Sequence, residues 1–207
     1  NYLSSKDLYD RYFLGSIIDG NGGTDADITA RIGKARGAFQ QLNNIWRSST
    51  IRRKTKLRIF NSNVKSVLLY GSETWRTTKT IIKKVQTFIN RCLRRIMKIF
   101  WPDRIRNEDL WEATNQHPVE REIQQRRWRW IGHTLRRGDC IQQQALRWNP
   151  QGKRRVGRPR NTWRRCLDAE VRASGWTWPE LRRIAQDREK WRREVGGPCL
   201  TRGEGHE

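Results

Sequence analysis

Apolar residues recur every three or four positions through most of the chain, which is the period of an amphipathic α-helix. Thr24 and Asp27, three residues apart, predict a capping box at the start of the first such segment. A single helix is therefore predicted over about 25–47. Its repeating apolar positions are Ile28, Ile32, Ala35, Phe39, Leu42 and Trp46.

Two more amphipathic helices are predicted before residue 102. The second begins after Thr50 and ends before Gly71, and its apolar face consists of Leu57, Phe60, Val64, Val67 and Leu68. The third begins after Thr78, and Trp101-Pro102 ends it because proline cannot continue a helix. This third helix has the clearest apolar stripe in the chain, formed by Ile81, Ile82, Val85, Phe88, Ile89, Cys92, Ile96 and Ile99.

The remaining predicted elements are one short strand and four helices. A β-branched apolar run over 12–18, followed by a glycine-rich stretch, predicts one short strand closed by a turn. Beyond residue 102 the predicted helices cover about 107–115 with Asn107 as cap, Pro118 to Gly138, and Asn161 to Ala173. A last helix with a Thr177–Glu180 capping box is predicted up to Val195, whereas 141–149 is ambiguous.

These elements predict a mostly α fold. A short strand and turn, 1–24, precedes a three-helix bundle at 25–101. A second small helical domain with a basic turn follows at 102–195, and 196–207 is predicted to be a frayed tail. The chain begins with Asn1 and its only methionine is Met97, so we expect a fragment of a longer protein.

Composition narrows the class of partner. The 207 residues include 44 Lys plus Arg against 21 Asp plus Glu, a net charge of +23, which makes nucleic acid the first candidate because phosphate contacts release condensed counterions. The 11 Trp are predicted mostly as core residues, with base stacking as the alternative. No apolar run reaches the roughly 18 residues of a membrane span, so we expect a soluble intracellular protein without a membrane partner.

The positive charge is concentrated in the predicted bundle, where 26–103 holds 18 basic residues against Asp27, Glu73 and Asp103. Cations in the first turns of a helix oppose its dipole, so they are better explained by phosphate binding than by helix stabilisation, although a solvated face is the alternative. The candidate binding residues are Arg52, Arg53, Lys54, Lys56 and Arg58 on the second helix, and Lys83, Lys84, Arg91, Arg94 and Arg95 on the third.

A second basic stretch, KRRVGRPRNTWRR at 153–165, has two interpretations. It is either a hook for an A·T-rich minor groove or a basic turn that leads into a helix. A groove hook needs an arginine on each side of its glycine, but Val156 precedes Gly157, so we favour the turn. Its predicted phosphate contacts are Arg154, Arg155, Arg158, Arg160 and Arg164.

Catalytic and metal-binding patterns were not found in the sequence. It contains no glycine-rich phosphate loop, HExxH or GxSxG, and the adjacent acids Glu108 and Asp109 fall in the first turn of a predicted helix, where they favour the dipole. The spacing of Cys92, Cys140, Cys166 and Cys199 matches neither a disulfide framework nor a CxxC pair. We predict no catalytic residue, no metal site and no cofactor in this chain.

Several segments, in order, resemble the C-terminal region of reverse transcriptases from non-LTR retrotransposons. They are FLGSIID at 13–19, DADITARIGKARGAFQQL at 25–42, LRIFNSNVKSVLLYGSETW at 57–75, IIKKVQTFINRCLRRI at 81–96, WRWIGHTLRR at 128–137, GRPRNTWRR at 157–165 and ELRRIAQDREKWR at 180–192. The resemblance implies that Phe13, Leu14 and Gly15 belong to a primer grip and that the helices over 25–99 form a thumb that holds template and primer. In that family a tyrosine usually stands where this chain has Phe13.

The resemblance also implies what this chain lacks. The paired aspartates of the family's catalytic loop occur nowhere in it, so RNA-directed DNA synthesis, and the magnesium it needs, would belong to a palm in the parent protein. The implied partners are an RNA template, a DNA primer or target DNA, together with the N-terminal polymerase portion, in the nucleus. The alternative is a self-standing or domesticated chromatin-associated DNA-binding protein that uses the 153–165 stretch.

Overall fold

A computed structural model of the chain describes residues 11–13, 16–18, 24–137, 141–147 and 162–195. The described residues are mostly helical, as predicted. The chain divides into two compact units, the first formed by 1–72 and 77–120, the second by 73–76 and 121–207. No helix among the described residues is both long enough and apolar enough to cross a bilayer.

A β-hairpin stands where one strand was predicted. Strand β1, Arg11–Phe13, pairs antiparallel with β2, Ser16–Ile18, and Tyr12 lies opposite Ile17. The prediction of a single strand over 12–18 is therefore wrong. A lone glycine in an apolar run is a weaker turn signal than the glycine-rich stretch that follows.

The first predicted helix is two helices in the structure, α1 at Asp25–Gln41 and α2 at Asn43–Arg47. The predicted capping box is absent, since the Thr24 side chain makes no cap hydrogen bond and Asp27 Oδ1 instead lies 3.7 Å from Arg31 Nε. Thr24 has helical dihedrals, φ −107° and ψ −1°. A side-chain cap requires the extended conformation, so the Thr24–Asp27 spacing was not sufficient to predict one.

The second helical segment changes its winding along its length. Helix α3, Arg53–Ile59, continues into a π-helical segment, Phe60–Lys65, and then into α4, Ser66–Leu68. A π turn inserts extra residues per turn into an α-helix and rotates the side chains that follow it. Three residues of the apolar face predicted from a constant helical period, Phe60, Val64 and Leu68, are nevertheless fully buried.

Helix α5, Lys79–Met97, confirms the predicted start of the third helix. The Thr78 side chain accepts a hydrogen bond from Ile81 N at 3.3 Å. The helix ends before the predicted Trp101-Pro102, because Lys98 adopts the left-handed conformation at φ 59° and its N–H bonds back to Arg94 O and Arg95 O. Helix α6 spans Asn107–Thr114.

The core of the first unit confirms the predicted bundle. Helix α1 packs against the π segment, α4 and α5, while α3 and α6 also pack on α5. Trp46 is stacked on Phe39 with ring centroids 4.9 Å apart, and its indole N–H donates to Phe39 O at 2.7 Å. This bundle positions the basic faces of α3 and α5.

The first unit extends beyond the predicted boundary at residue 101. Asn107 Oδ1, at the start of α6, accepts from Asn90 Nδ2 at 3.0 Å and from Arg94 Nη2 at 2.9 Å. Trp111 Nε1 donates to Asn90 Oδ1 at 2.9 Å. These contacts attach α6 to α5, and the change in charge balance after 102 did not reveal them.

The second unit contains most of α7, Val119–Arg136, with α8 at Ile141–Arg147 and α9 at Trp163–Ala173. Thr162 caps α9, so the helix begins two residues after the predicted start at Asn161. The predicted last helix is two helices, α10 at Trp178–Ala185 and α11 at Arg188–Glu194. They are separate because the Asp187 carboxylate accepts the N–H groups of Glu189 and Lys190 and begins a new helix.

Tryptophan dominates the core of the second unit, as predicted. Trp128 and Trp191 are buried with ring centroids 6.3 Å apart, among apolar residues of α7, α9, α10 and α11. Residues 73–76 also belong to this unit, where Trp75 O accepts from the buried guanidinium of Arg127 at 2.9 Å. Glu170 accepts from both Arg127 and Trp128, so the buried cation has a carboxylate partner.

Candidate nucleic-acid interface

Four of the candidate cations at the start of α3 are exposed. Arg52 is the residue before the helix, Arg53 and Lys54 form its first turn, and Arg58 lies one turn later. None of the four forms a salt bridge within the part of the chain that the structure describes. Their charges are therefore available to an external anion.

Lys56 is the exception, and its prediction as a phosphate contact is wrong. Its side chain is 3% exposed, and Nζ donates to Trp46 O at 2.9 Å and to Ser48 O at 2.5 Å. These carbonyls lie at the C-terminal end of α2, so Lys56 supplies donors to a helix end. Burial lowers its pKa, and repulsion from Lys98 and Arg53 lowers it further.

Helix α5 presents a second exposed basic surface. Lys83, Lys84, Arg91 and Arg95 are exposed, and Arg95 Nη2 donates to Asn43 Oδ1 at 2.9 Å. Arg94 is half-buried and donates to Ile105 O at 3.2 Å as well as to Asn107. Arg94 therefore holds the segment before α6, and its contact with the nucleic-acid backbone stays a prediction.

A cavity of about 730 Å³ opens between α1 and α5. Arginines from both helices line it, and aromatic residues lie at its base and rim. No carboxylate is found among its lining residues in the described chain. The arginines and some of the aromatic residues of this lining are Arg36, Phe39, Arg91, Arg95, Phe100 and Trp101.

Sequence reasoning missed three members of this cleft. Arg36 lies on α1, outside the two helices chosen for their charge. Trp101 was interpreted only as the end of a helix, and Phe100 was not singled out. In the structure Phe100 is 59% exposed and Trp101 is 84% exposed. The only available signal was an aromatic pair placed directly after a basic amphipathic helix.

The Cys92 thiol lies under the basic cleft. Burial raises its pKa to about 12, although the positive charges of Arg91, Arg95 and Arg36 act in the opposite direction. The thiolate is the reactive form of cysteine, so Cys92 is a packing residue at neutral pH and not a nucleophile. Its electrostatic coupling to Arg36 and Arg91 shows that cations of α1 and α5 converge on this cleft.

A second basic cavity, of about 530 Å³, lies beside the π segment. Lys54 and Arg58 of α3, Asn61 of the π segment and Asn115 after α6 contribute to its lining. The π segment thus places an exposed amide next to two exposed cations. Both cavities belong to the first unit.

The remaining predicted site residues are distributed differently. Arg164 is half-buried in the second unit, with Nε 3.5 Å from Asp168 Oδ1 and its guanidinium 5.7 Å from the centroid of the Trp178 ring, and its contact with phosphate stays a prediction. Phe13 lies in β1, and nothing of its side chain is described. The predicted residues that lie outside the described part of the chain are Leu14, Gly15, Arg154, Arg155, Arg158 and Arg160.

The described residues show no group of three or more His, Cys, Asp or Glu side chains that could hold a metal ion. Asp109, one of the two adjacent acids, accepts from Arg106 Nε at 3.2 Å at the first turn of α6. Arg36, Arg91 and Arg95 of the first unit line one cavity without a carboxylate among its described lining residues.

Comparison with known proteins gives two similarities. The model of one protein family, described as a domain of unknown function (DUF6451), matches residues 38–70. The chain is 27% identical over 171 residues to a Caenorhabditis elegans protein named as uncharacterized and transposon-derived. The similar region covers 80% of this chain and 61% of that protein, so the chain spans about three fifths of the length of this relative. No solved structure matches the chain.

Proposed function

We propose that the first unit binds the sugar–phosphate backbone of nucleic acid, as the thumb-like part of a non-LTR retrotransposon reverse transcriptase. The observation that carries the proposal is a set of exposed cations on α3 and α5 that form no salt bridge among the described residues. They are Arg52, Arg53, Lys54, Arg58, Lys83, Lys84 and Arg91.

Two further observations support the proposal. The segments that resemble this family occur in order along the chain. The similar protein from Caenorhabditis elegans is named as transposon-derived. Within this proposal the chain has no catalytic centre of its own, and magnesium-dependent synthesis belongs to a palm elsewhere in the parent protein.

The chemistry of the exposed cations favours backbone binding over base reading. Arginine and lysine on a helix surface contact phosphate oxygens, which occur at every nucleotide and carry no sequence information. With about six such contacts, the slope of log K against log salt on duplex DNA is near −5. Filter binding of the chain to one duplex over a range of NaCl concentrations measures this slope, and a slope near zero contradicts the proposal.

Lys54 and Lys56 provide a matched pair for the same assay. Lys54→Met removes an exposed cation, so we expect weaker binding, a shallower salt slope by about one unit and nearly unchanged stability. Lys56→Met removes a buried donor from Trp46 O and Ser48 O, so we expect a loss of about 1–3 kcal/mol in the free energy of unfolding. The salt slope of the folded Lys56→Met protein should match that of the parent chain.

A further inference from the structure

We propose that the cleft between α1 and α5 binds a single-stranded stretch of nucleic acid, with an unstacked base on Trp101 and Phe100 and the adjoining phosphates on Arg36 and Arg91. This inference rests on the proposed function of the first unit. It adds that the nucleic acid is single-stranded, and that its base stacks on two aromatic residues of this cleft.

The aromatic residues provide the first argument. Trp101 is 84% exposed and Phe100 is 59% exposed, whereas Trp46 of the same unit is 1% exposed. Leaving large aromatic surfaces in water forfeits the burial energy that the unit uses elsewhere. Two such rings at the rim of one cleft provide flat apolar surfaces on which nucleobases stack.

The charge around the cleft provides the second argument. Arg36 on α1 faces Arg91 and Arg95 on α5 across the cavity, and its described lining contains no carboxylate. Arginine suits phosphate because its planar guanidinium donates two parallel hydrogen bonds, and it also stacks on bases. Aromatic rings and cations that line the same cleft match the bases and phosphates of a single strand.

The polar groups of the cleft indicate little base specificity. Asn90 and Asn107 line it, but their amides are engaged with one another and with Gln86, Trp111 and Arg94. The Thr87 hydroxyl donates to Lys83 O at 2.7 Å. The side chains of Asn90, Asn107 and Thr87 are therefore not available to read base edges, and stacking on an aromatic ring accepts any base by its flat face.

A single strand fits these features better than a duplex. Bases inside a duplex are already stacked on both faces, and they cannot lie on a protein ring unless they leave the helix. A cavity of about 730 Å³ is within the range of small-molecule sites, so it can accept an unpaired base with its sugar. The duplex contacts of the proposed function use the exposed cations and do not require the aromatic rim.

The test uses a single-stranded oligonucleotide that contains 2-aminopurine, whose fluorescence falls when it stacks on an aromatic ring. We expect quenching on addition of the full chain. Trp101→Ala should remove most of the quenching, since only Phe100 remains, and weaken single-strand binding by roughly 5- to 100-fold. The same variant should change duplex affinity less than twofold and leave the salt slope unchanged, because every phosphate contact remains.

Two control variants separate stacking from loss of folding. Trp101→Phe keeps an aromatic ring and should retain most of the quenching. Tyr70→Ala removes another exposed aromatic residue of the first unit, one outside the cleft lining, and should not affect single-strand binding. Far-UV circular dichroism of each variant verifies that its helices are intact.

The outcomes distinguish the inference from the function on which it rests. Salt-dependent binding without quenching, or with equal single-strand affinity in Trp101→Ala, overturns the stacking cleft and leaves backbone binding in place. The same two results are expected if the cleft instead binds another protein segment. Binding with a flat salt slope overturns the proposed function itself.

Discussion

Gly132 in α7 allows the Trp191 side chain to lie close to the helix backbone. A Cβ added there would lie 2.3 Å from Trp191 Nε1 and 2.4 Å from Trp191 Cε2. The indole is a rigid ring that is 4% exposed in the core, so it has little room to move. Gly132 is therefore required for packing, despite the cost of glycine in a helix.

We predict that Gly132→Ala destabilises the protein. Overpacking against the indole costs about 1–3 kcal/mol, and we expect it to exceed the gain in helix propensity. The matched control is Gly33→Ala in α1, where a new Cβ meets no atom within 4 Å and stability should rise by about 0.5–1 kcal/mol. Urea denaturation monitored by circular dichroism measures both changes, and destabilisation by both variants would rule out the packing explanation.

At the scale of elements, helix starts that look alike in sequence differ in the structure. Thr177 accepts from Glu180 N at 3.5 Å, while the Glu180 carboxylate accepts from Thr177 N at 2.9 Å, which completes a capping box at α10. Thr24 begins α1 without a side-chain cap. The difference lies in the backbone, since Thr177 is extended and Thr24 is helical.

These two threonines make a second prediction. Thr177→Ala removes the cap of α10 and should lower the free energy of unfolding by about 1 kcal/mol. Thr24→Ala removes no cap hydrogen bond, so its effect should stay below about 0.5 kcal/mol. Chemical denaturation of both variants in one buffer measures the two changes. Equal losses in the free energy of unfolding would show that the Thr177 cap hydrogen bond does not stabilise α10.

At the scale of the whole molecule, the net charge of +23 affects stability as well as binding. Like charges repel one another in the folded chain more than in an expanded one, and salt screens this repulsion. Salt also weakens binding to phosphate. The same ions should therefore act in opposite directions on stability and on nucleic-acid affinity.

We predict that the melting temperature rises by roughly 2–4 °C between about 0.05 M and 0.5 M NaCl, a change of about 1 kcal/mol. Thermal unfolding followed by circular dichroism measures it. A parallel series in potassium chloride should coincide with the NaCl series at equal ionic strength, because screening does not depend on which monovalent cation is added. A melting temperature that falls as NaCl is added would mean that attractive ion pairs outweigh the repulsion.

Much of the fold follows from local rules. The apolar period is enough to locate α1, α5 and α7, because their stripes continue for several turns and no neighbouring segment alters them. Caps are predictable where the chain before the helix is extended, as at Thr78 and Thr177. The breaks at Leu42 and Gln186, the π segment and the hairpin were not predictable, because each depends on packing or on a single local hydrogen bond.

The sequence by itself determined the helical class, the excess of positive charge and its concentration around α3 and α5. The tertiary structure decided which of those cations reach solvent. Lys54 and Lys56 are two residues apart, yet the first is exposed and the second bonds to the end of α2. The tertiary structure also placed Arg36 of α1 opposite Arg91 of α5 and left Trp101 at the rim of their cleft. Residues so distant in sequence meet only through packing, and a one-dimensional pattern of charge contains no information on that contact.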